Sequence, residues 1–184
     1  PVTLVDALLD GIAGAGQNPI VTLDAGAHFL AVLPRWPVAE PFDLLISNGL
    51  ATMGFAVPAA IGAALANPGR RGLALSGDGG VAMVMGELET IARLDLPITV
   101  VVFNDSALTL IALKQQPDQG GDEAIRYRTT DFATIGQASG LEGFVADSAD
   151  DVRRLISEPS TKPRLIDARI DPADYRHLIK ATRG

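Results

Sequence analysis

Cysteine is absent from the 184-residue sequence, which excludes disulfides and a thiolate-held zinc site. Aromatic residues are few, at 5%. No basic cluster stands out, and 22 acidic against 15 basic side chains give a formal net charge of −7. Neither nucleic acid nor an anionic membrane surface is therefore an expected partner. Long hydrophobic runs are missing too. The longest stretch of small and apolar residues, FAVPAAIGAALA at 55–66, is too short to span a bilayer and contains Pro58. With no secretory leader pattern either, a cytoplasmic location is the expectation. The sequence starts at Pro1 without methionine, as a processed product or an excised piece of a longer chain would.

What is present is alanine, glycine and valine in many short apolar runs, with 47% hydrophobic residues overall. That composition suits a single α/β domain over residues 1–184 with a sizeable core. Val5, Leu8, Leu9 and Ile12 have helical spacing, and a short strand is expected at 20–23, stopping at Asp24, which reads as a strand-end turn residue. The proline-interrupted segment from His28 reads as irregular until a short strand near 44–46. A small-residue helix follows and ends at Asn67–Pro68–Gly69. GLALS and ITVVVFND are continuous apolar runs of the kind buried on both faces of a parallel sheet. Between them, GGVAMVMGELETIARLDLP reads as one helix, within which Glu87 and Glu89 are solvated or structural.

A helix over 108–116 is expected next, then a polar, glycine-containing loop over 115–130. Asp131 is a plausible N-cap for another helix, FVAD a short strand, SADDVRRLISEP a capped helix and PRLIDARI the last strand. His177 reads as a surface residue. The alternation predicts a doubly wound, mostly parallel sheet with helices on both faces. Ligands of such sheets bind beyond the carboxyl ends of the strands. Three strands end in Asp24, Asp78 and Asn104–Asp105; as neighbours, they would bring these ends to one edge of the sheet.

The stretch SGDGGVA, with Asp78 between glycines, admits three readings. It can be a strand-to-helix turn in which glycines supply unusual dihedrals and Asp78 caps the helix. It also fits the G-x-G-x-x-G/A dinucleotide fingerprint, which would imply an oxidoreductase. Against that, Asp78 would face a pyrophosphate with no cation between them, and the next strand ends in an Asn–Asp pair later than the expected ribose-binding acid. The third reading is a metal–diphosphate site. Mg²⁺ takes one or two carboxylates completed by phosphate oxygens and water, and Asp78 and the Asn104–Asp105 strand end can supply them.

The ordered set SNGLATMGFAVPAAIGAALANP, GDGG, GELETIARLDLPITVVVFND and DFATIGQASGL resembles the thiamine diphosphate-dependent enzymes of the acetolactate synthase and pyruvate decarboxylase family. The likeness runs over about 21–170, in the order the family uses, and corresponds to the diphosphate-binding domain and its fold. It implies that Asp78 and Asp105 bind Mg²⁺ through their carboxylates and Ala107 through its main-chain carbonyl, many members having asparagine where Asp105 stands. It also implies that Gly77, Gly79 and Gly80 line the diphosphate. Met53, which by itself reads as a core methionine, matches the apolar residue that props the cofactor in its bent conformation. The Ala51 carbonyl would face the aminopyrimidine. Gly26, Ala27 and His28 match a segment that approaches the diphosphate. Acetolactate synthases usually have glutamine where Ala27 stands, which leaves the backbone for that contact, and His28 can equally be a satisfied loop histidine.

By the same resemblance, the cofactors are thiamine diphosphate and Mg²⁺, and the substrates are small 2-oxo acids, decarboxylated or joined to a second carbonyl compound. The activating glutamate belongs to a pyrimidine-binding domain, usually of a neighbouring subunit, that these 184 residues do not include. The chain is thus expected to be one half of an active site, inactive alone and part of a homo-oligomer. A non-catalytic thiamine diphosphate-binding or assembly module is the alternative. Leu108, Leu110 and Ile111 make the acyl side apolar, and the 115–130 loop is expected to order over the site.

Overall fold

The computed structural model describes residues 1–115, 121–158 and 160–182. Six parallel strands form one sheet: β1 (Ile20–Leu23), β2 (Leu44–Ile46), β3 (Gly72–Gly77), β4 (Ile98–Asn104), β5 (Glu142–Ala146) and β6 (Arg164–Arg169), in the order β2-β1-β3-β4-β6-β5. Every residue of β4 is buried, as a β-branched run flanked on both sides by strands and covered on both faces should be.

Alternation along the strands sorts the core into two layers. Val101, Phe103, Leu73 and Leu75 pack on one face with α1 (Val2–Gly14), α2 (Ala27–Val32), α8 (Ala149–Ser157) and α9 (Tyr175–Thr182). Ile98, Val100, Val102 and Ala74 pack on the other with α3 (Ala56–Ala66), α4 (Asp78–Met83), α5 (Glu87–Arg93) and α7 (Phe132–Ala138). The expected doubly wound α/β architecture is what forms, and no helix among the described residues is long and apolar enough to cross a membrane.

Two local expectations change, and one helix is added to them. The segment after Gly26 is not irregular at its start, because Ala27–Val32 completes the α2 helix before Pro34 intervenes. The helix expected after β3 is two helices, broken at Val84–Met85–Gly86, where Val84 leaves helical geometry at φ −128°. The chain also closes with α9, whose Tyr175, Leu178 and Ile179 share one face and pack inward. Asp131 and Ser148 cap α7 and α8 as expected, accepting from Thr134 N–H at 2.9 Å and Asp151 N–H at 3.1 Å. The helix expected over 108–116 is α6 (Thr109–Lys114), and Gln116 lies outside the described residues.

The strand order fixes where a site can form. From β1 the chain steps outward to β2, then returns to β3 on the other side of β1. This reversal opens a crevice at the carboxyl ends of β1 and β3, where ligands of such sheets bind.

Candidate functional site

A cavity of about 220 Å³ lies in that crevice. The expected diphosphate residues Gly77, Asp78, Gly79 and Gly80 line it from β3 and α4. Gly26 and His28 line it from the end of β1 and α2, Ala51 and Met53 from the loop before α3, and Asp105 and Ala107 from the end of β4. Residues scattered over eighty positions of sequence are thus brought together by the pairing of β1, β3 and β4. Leu108, Leu110 and Ile111 complete an apolar wall.

Asp78 opens α4 and is 3% exposed. Its Oδ1 accepts from Gly79 N–H at 2.7 Å, while Oδ2 is buried with no partner among the described residues. Burial raises its pKa, opposed by Tyr127 and by the N–H groups of Gly79, Ser106 and Ala107. Asp105 is raised to about 6, first by burial and further by the charge of Asp78, while the Thr109 hydroxyl, donating to Oδ2 at 2.7 Å, works against the rise. Ser106, between Asp105 and Ala107, holds a left-handed φ of 59°, and Ala51 a φ of 49°. Non-glycine residues in that region are strained, and such strain gathers at functional sites.

His28 is a helical residue, 3% exposed, stacked on Phe103 with ring centroids 5.4 Å apart. Burial lowers its pKa to about 4, so the ring is neutral at neutral pH, and Nε2 has no partner among the described residues. A Cβ on Gly26 would come within 2.6 Å of this ring and one on Gly77 within 3.2 Å. Both glycines therefore make room for His28 as well as lining the cavity. Gly79 lies under the apolar wall, where a Cβ would meet Met53 Cε at 2.7 Å and Leu108 Cδ2 at 2.8 Å.

Several participants play a part that the sequence reading did not give them. Asp24 is not a simple turn residue: it is fully buried and accepts hydrogen bonds from Ala25, Gly54 and Phe55 N–H and from the Ser76 hydroxyl. Asn104 turns toward β6, donating to Asp167 at 2.8 Å and to the Thr130 carbonyl at 3.0 Å; it does not line the cavity, which leaves that role to Asp105. The two tyrosines of the chain, Tyr127 and Tyr175, both face the carboxylate pair. Burial raises both pKa values, and the negative Asp78 and Asp105 add to the rise. Tyr127 returns from the expected 115–130 loop, where its N–H donates to the Ser106 carbonyl at 3.1 Å. Residues 116–120 of that loop lie outside the described set. Glu89 is exposed and paired with Arg93 at 3.0 Å, and His177 is exposed, as expected of both.

Two crowded carboxylates of raised pKa, one with an orphaned oxygen, suit a hard cation. No group of three or more His, Cys, Asp or Glu side chains able to hold a metal occurs among the described residues. A cation here would thus need a main-chain carbonyl and ligand oxygens to complete its shell. The cavity beside the carboxylates leaves space for such a ligand, so the residues fit a metal–diphosphate group.

Comparison with known proteins agrees on the diphosphate. Residues 24–168 match the family model for the thiamine pyrophosphate enzyme, C-terminal TPP binding domain. The acetolactate synthase of Bacillus subtilis (strain 168) is 34% identical over 180 residues, which cover 97% of this chain and 31% of the relative. The acetolactate synthase isozyme 1 large subunit of Escherichia coli (strain K12) is 36% identical over 171 residues, covering 89% and 30% respectively. A probable acetolactate synthase large subunit of Methanocaldococcus jannaschii is 31% identical over 176 residues, covering 94% and 30%. The chain spans a little under a third of the length of these relatives. With a parallel sheet that gathers Asp78, its glycines and Asp105 at one crevice, the chain belongs to the thiamine pyrophosphate enzyme family, as its C-terminal TPP-binding domain.

Proposed function

We propose that this chain is the diphosphate-binding half of a cytoplasmic, homo-oligomeric, acetolactate synthase-like enzyme that decarboxylates or ligates small 2-oxo acids. The observation that carries this reading is the orphaned, buried Oδ2 of Asp78 beside Asp105, over a cradle of bare glycines. Asp78, Asp105 and the Ala107 carbonyl hold Mg²⁺. Gly77, Gly79 and Gly80, with the segment from Gly26 to His28, enclose the diphosphate. Met53 and the Ala51 carbonyl support the rings. When bound, thiamine diphosphate supplies the carbanion chemistry by which a 2-oxo acid loses CO₂. Neutral His28 adds no charge at the diphosphate end. Leu108, Leu110 and Ile111 exclude water on the acyl side. The activating glutamate belongs to a pyrimidine-binding domain or subunit outside these residues, so the chain alone turns over no substrate.

Calorimetric titration with thiamine diphosphate, with and without Mg²⁺, tests this on the wild type and on Asp78→Ala. Heat of binding is expected only for the wild type with Mg²⁺. Binding that ignores Mg²⁺, or survives intact in Asp78→Ala, overturns the metal assignment. Turnover of a 2-oxo acid by the 184-residue chain overturns its reading as half a site. Thermal protection by NAD, with none by thiamine diphosphate and Mg²⁺, returns the glycine turn to the dinucleotide reading.

A further inference from the structure

Asp24 lies under the floor of the cavity and touches none of the open space, yet its carboxylate is the most heavily bonded acid there. Oδ1 accepts from Ala25 N–H at 2.9 Å and Phe55 N–H at 3.1 Å. Oδ2 accepts from Gly54 N–H at 3.0 Å and the Ser76 hydroxyl at 2.6 Å. A turn at the end of β1 needs only the first of these. The others reach across to the loop before α3 and to the last residues of β3. A Cβ on Gly80 would stand 2.5 Å from Oδ2 and 2.6 Å from Ser76 Oγ. The glycine two places after Asp78 is bare because Asp24 occupies the space its side chain would take.

We propose that Asp24 is a positioning residue that fixes Met53 over the glycine cradle, by pinning the two N–H groups that follow Met53 in the chain. Gly54 turns at a left-handed φ of 80°, so its N–H and that of Phe55 converge on one carboxylate. With both held, the backbone at Met53 has one path, and its Cε ends 2.7 Å from where a Gly79 side chain would begin. The Thr22 hydroxyl, donating to the Ala56 carbonyl at 2.7 Å, ties the same loop to β1 a second time. A carboxylate suits this place because both of its oxygens only accept. Asparagine must set an NH₂ against a backbone N–H, and only Ser76 can reverse its hydroxyl to compensate. Asp24→Asn therefore frees Gly54 or Phe55 while keeping the volume.

The consequence for the cofactor rests on the proposed function, whereas the pinning itself does not, and the test separates them. The chain has three methionines, so methyl-labelled methionine gives three NMR signals, with Met53→Leu identifying one. In Asp24→Asn, the Met53 methyl signal is expected to move, and amide exchange at Gly54 and Phe55 to rise about tenfold more than at β3 and β4. With Mg²⁺, thiamine diphosphate affinity is expected to fall about tenfold. Asp24→Asn and Met53→Ala should be non-additive in that affinity, a coupling that a merely structural acid would not show. A folded Asp24→Asn with an unmoved Met53 signal and unchanged Gly54 and Phe55 exchange overturns the inference, as do strictly additive effects. Where Asp24→Asn fails to fold, Ser76→Ala carries the test: faster Gly54 exchange supports the pinning, and an unchanged rate overturns it. A moved Met53 signal in a system whose wild type binds no thiamine diphosphate overturns the proposed function and leaves the pinning standing.

Discussion

Replacing Gly80 by alanine should be far more damaging than its helical setting suggests. Inside α4, alanine is favoured over glycine by about 1 kcal/mol. The added methyl, however, would lie 2.5 Å from Asp24 Oδ2 and 2.6 Å from Ser76 Oγ, and neither is the free end of a flexible chain. Both are buried and bonded to each other at 2.6 Å, and Asp24 is held further by the N–H groups of Ala25, Gly54 and Phe55. To admit the methyl, the Ser76–Asp24 bond must open, at about 1.5–3 kcal/mol for a hydrogen bond to a charged group. Overpacking of the surroundings adds about 1–3 kcal/mol. The net loss is about 2–5 kcal/mol, which for a chain of this size lowers the melting temperature by about 4–20 °C. Scanning calorimetry without cofactor measures it. Gly86→Ala is the control, because a Cβ there meets nothing within 4 Å, and its melting temperature should stay level or rise. A Gly80→Ala variant that melts within about 1 °C of wild type would refute the placement of Asp24 beneath the turn.

Gly79→Ala should separate stability from binding: its methyl meets only the side-chain tips of Met53 and Leu108 and the Tyr127 hydroxyl, so melting should change by no more than a few degrees. Calorimetric titration should nonetheless show thiamine diphosphate binding lost, because the methyl fills the cradle. Asp105→Asn should show opposite effects of pH on stability and binding. With its pKa raised from 3.8 to about 6, folded Asp105 keeps a proton that the unfolded chain has released. The folded state therefore loses stability through this group as pH rises from about 4 to about 6. Without metal, Asp105→Asn should match the wild type near pH 4 and melt above it at pH 7.5, read as the difference between the two melting curves. Because Mg²⁺ favours the ionised carboxylate, wild-type binding strengthens over the same rise, while the variant, whose amide oxygen can still ligate but does not titrate, should keep Mg²⁺-dependent binding without that pH dependence.

Residues whose partners are close in sequence were legible from the sequence; residues whose partners are distant were not. GLALS and ITVVVFND announce buried strands because nearly every residue is apolar, and the residues that end them, Asp78 and Asp105, follow directly. Asp131 and Ser148 were readable as caps because each serves an amide three residues on. Asp24 looked like a turn residue because its nearest donor, Ala25, is local, whereas Gly54, Phe55 and Ser76 lie 30, 31 and 52 residues away. The break between α4 and α5 was hidden by an unbroken apolar rhythm across Val84, and Gly86 was its one visible sign. Prolines at 34, 37 and 41 masked α2, although they all follow its last residue. Asp171–Pro172, which caps and starts the 3-10 turn Pro172–Asp174 leading into α9, was the signal, with the spacing of Tyr175, Leu178 and Ile179, that could have disclosed this helix.

The distances along the chain that hid Asp24 also set when it can be buried. Ser76 is translated 52 residues after it, which at about 5–20 residues per second is an interval of about 3–10 s. During that time β1 exists without β3, and its terminal carboxylate has only Ala25 to bond until Gly54 and Phe55 follow 30 and 31 residues on. An ionised acid with so few donors resists leaving water, so β1 is held back from early collapse until the central strands emerge. The crevice is complete only when every segment that lines it, from Ala25 to Tyr175, has been made.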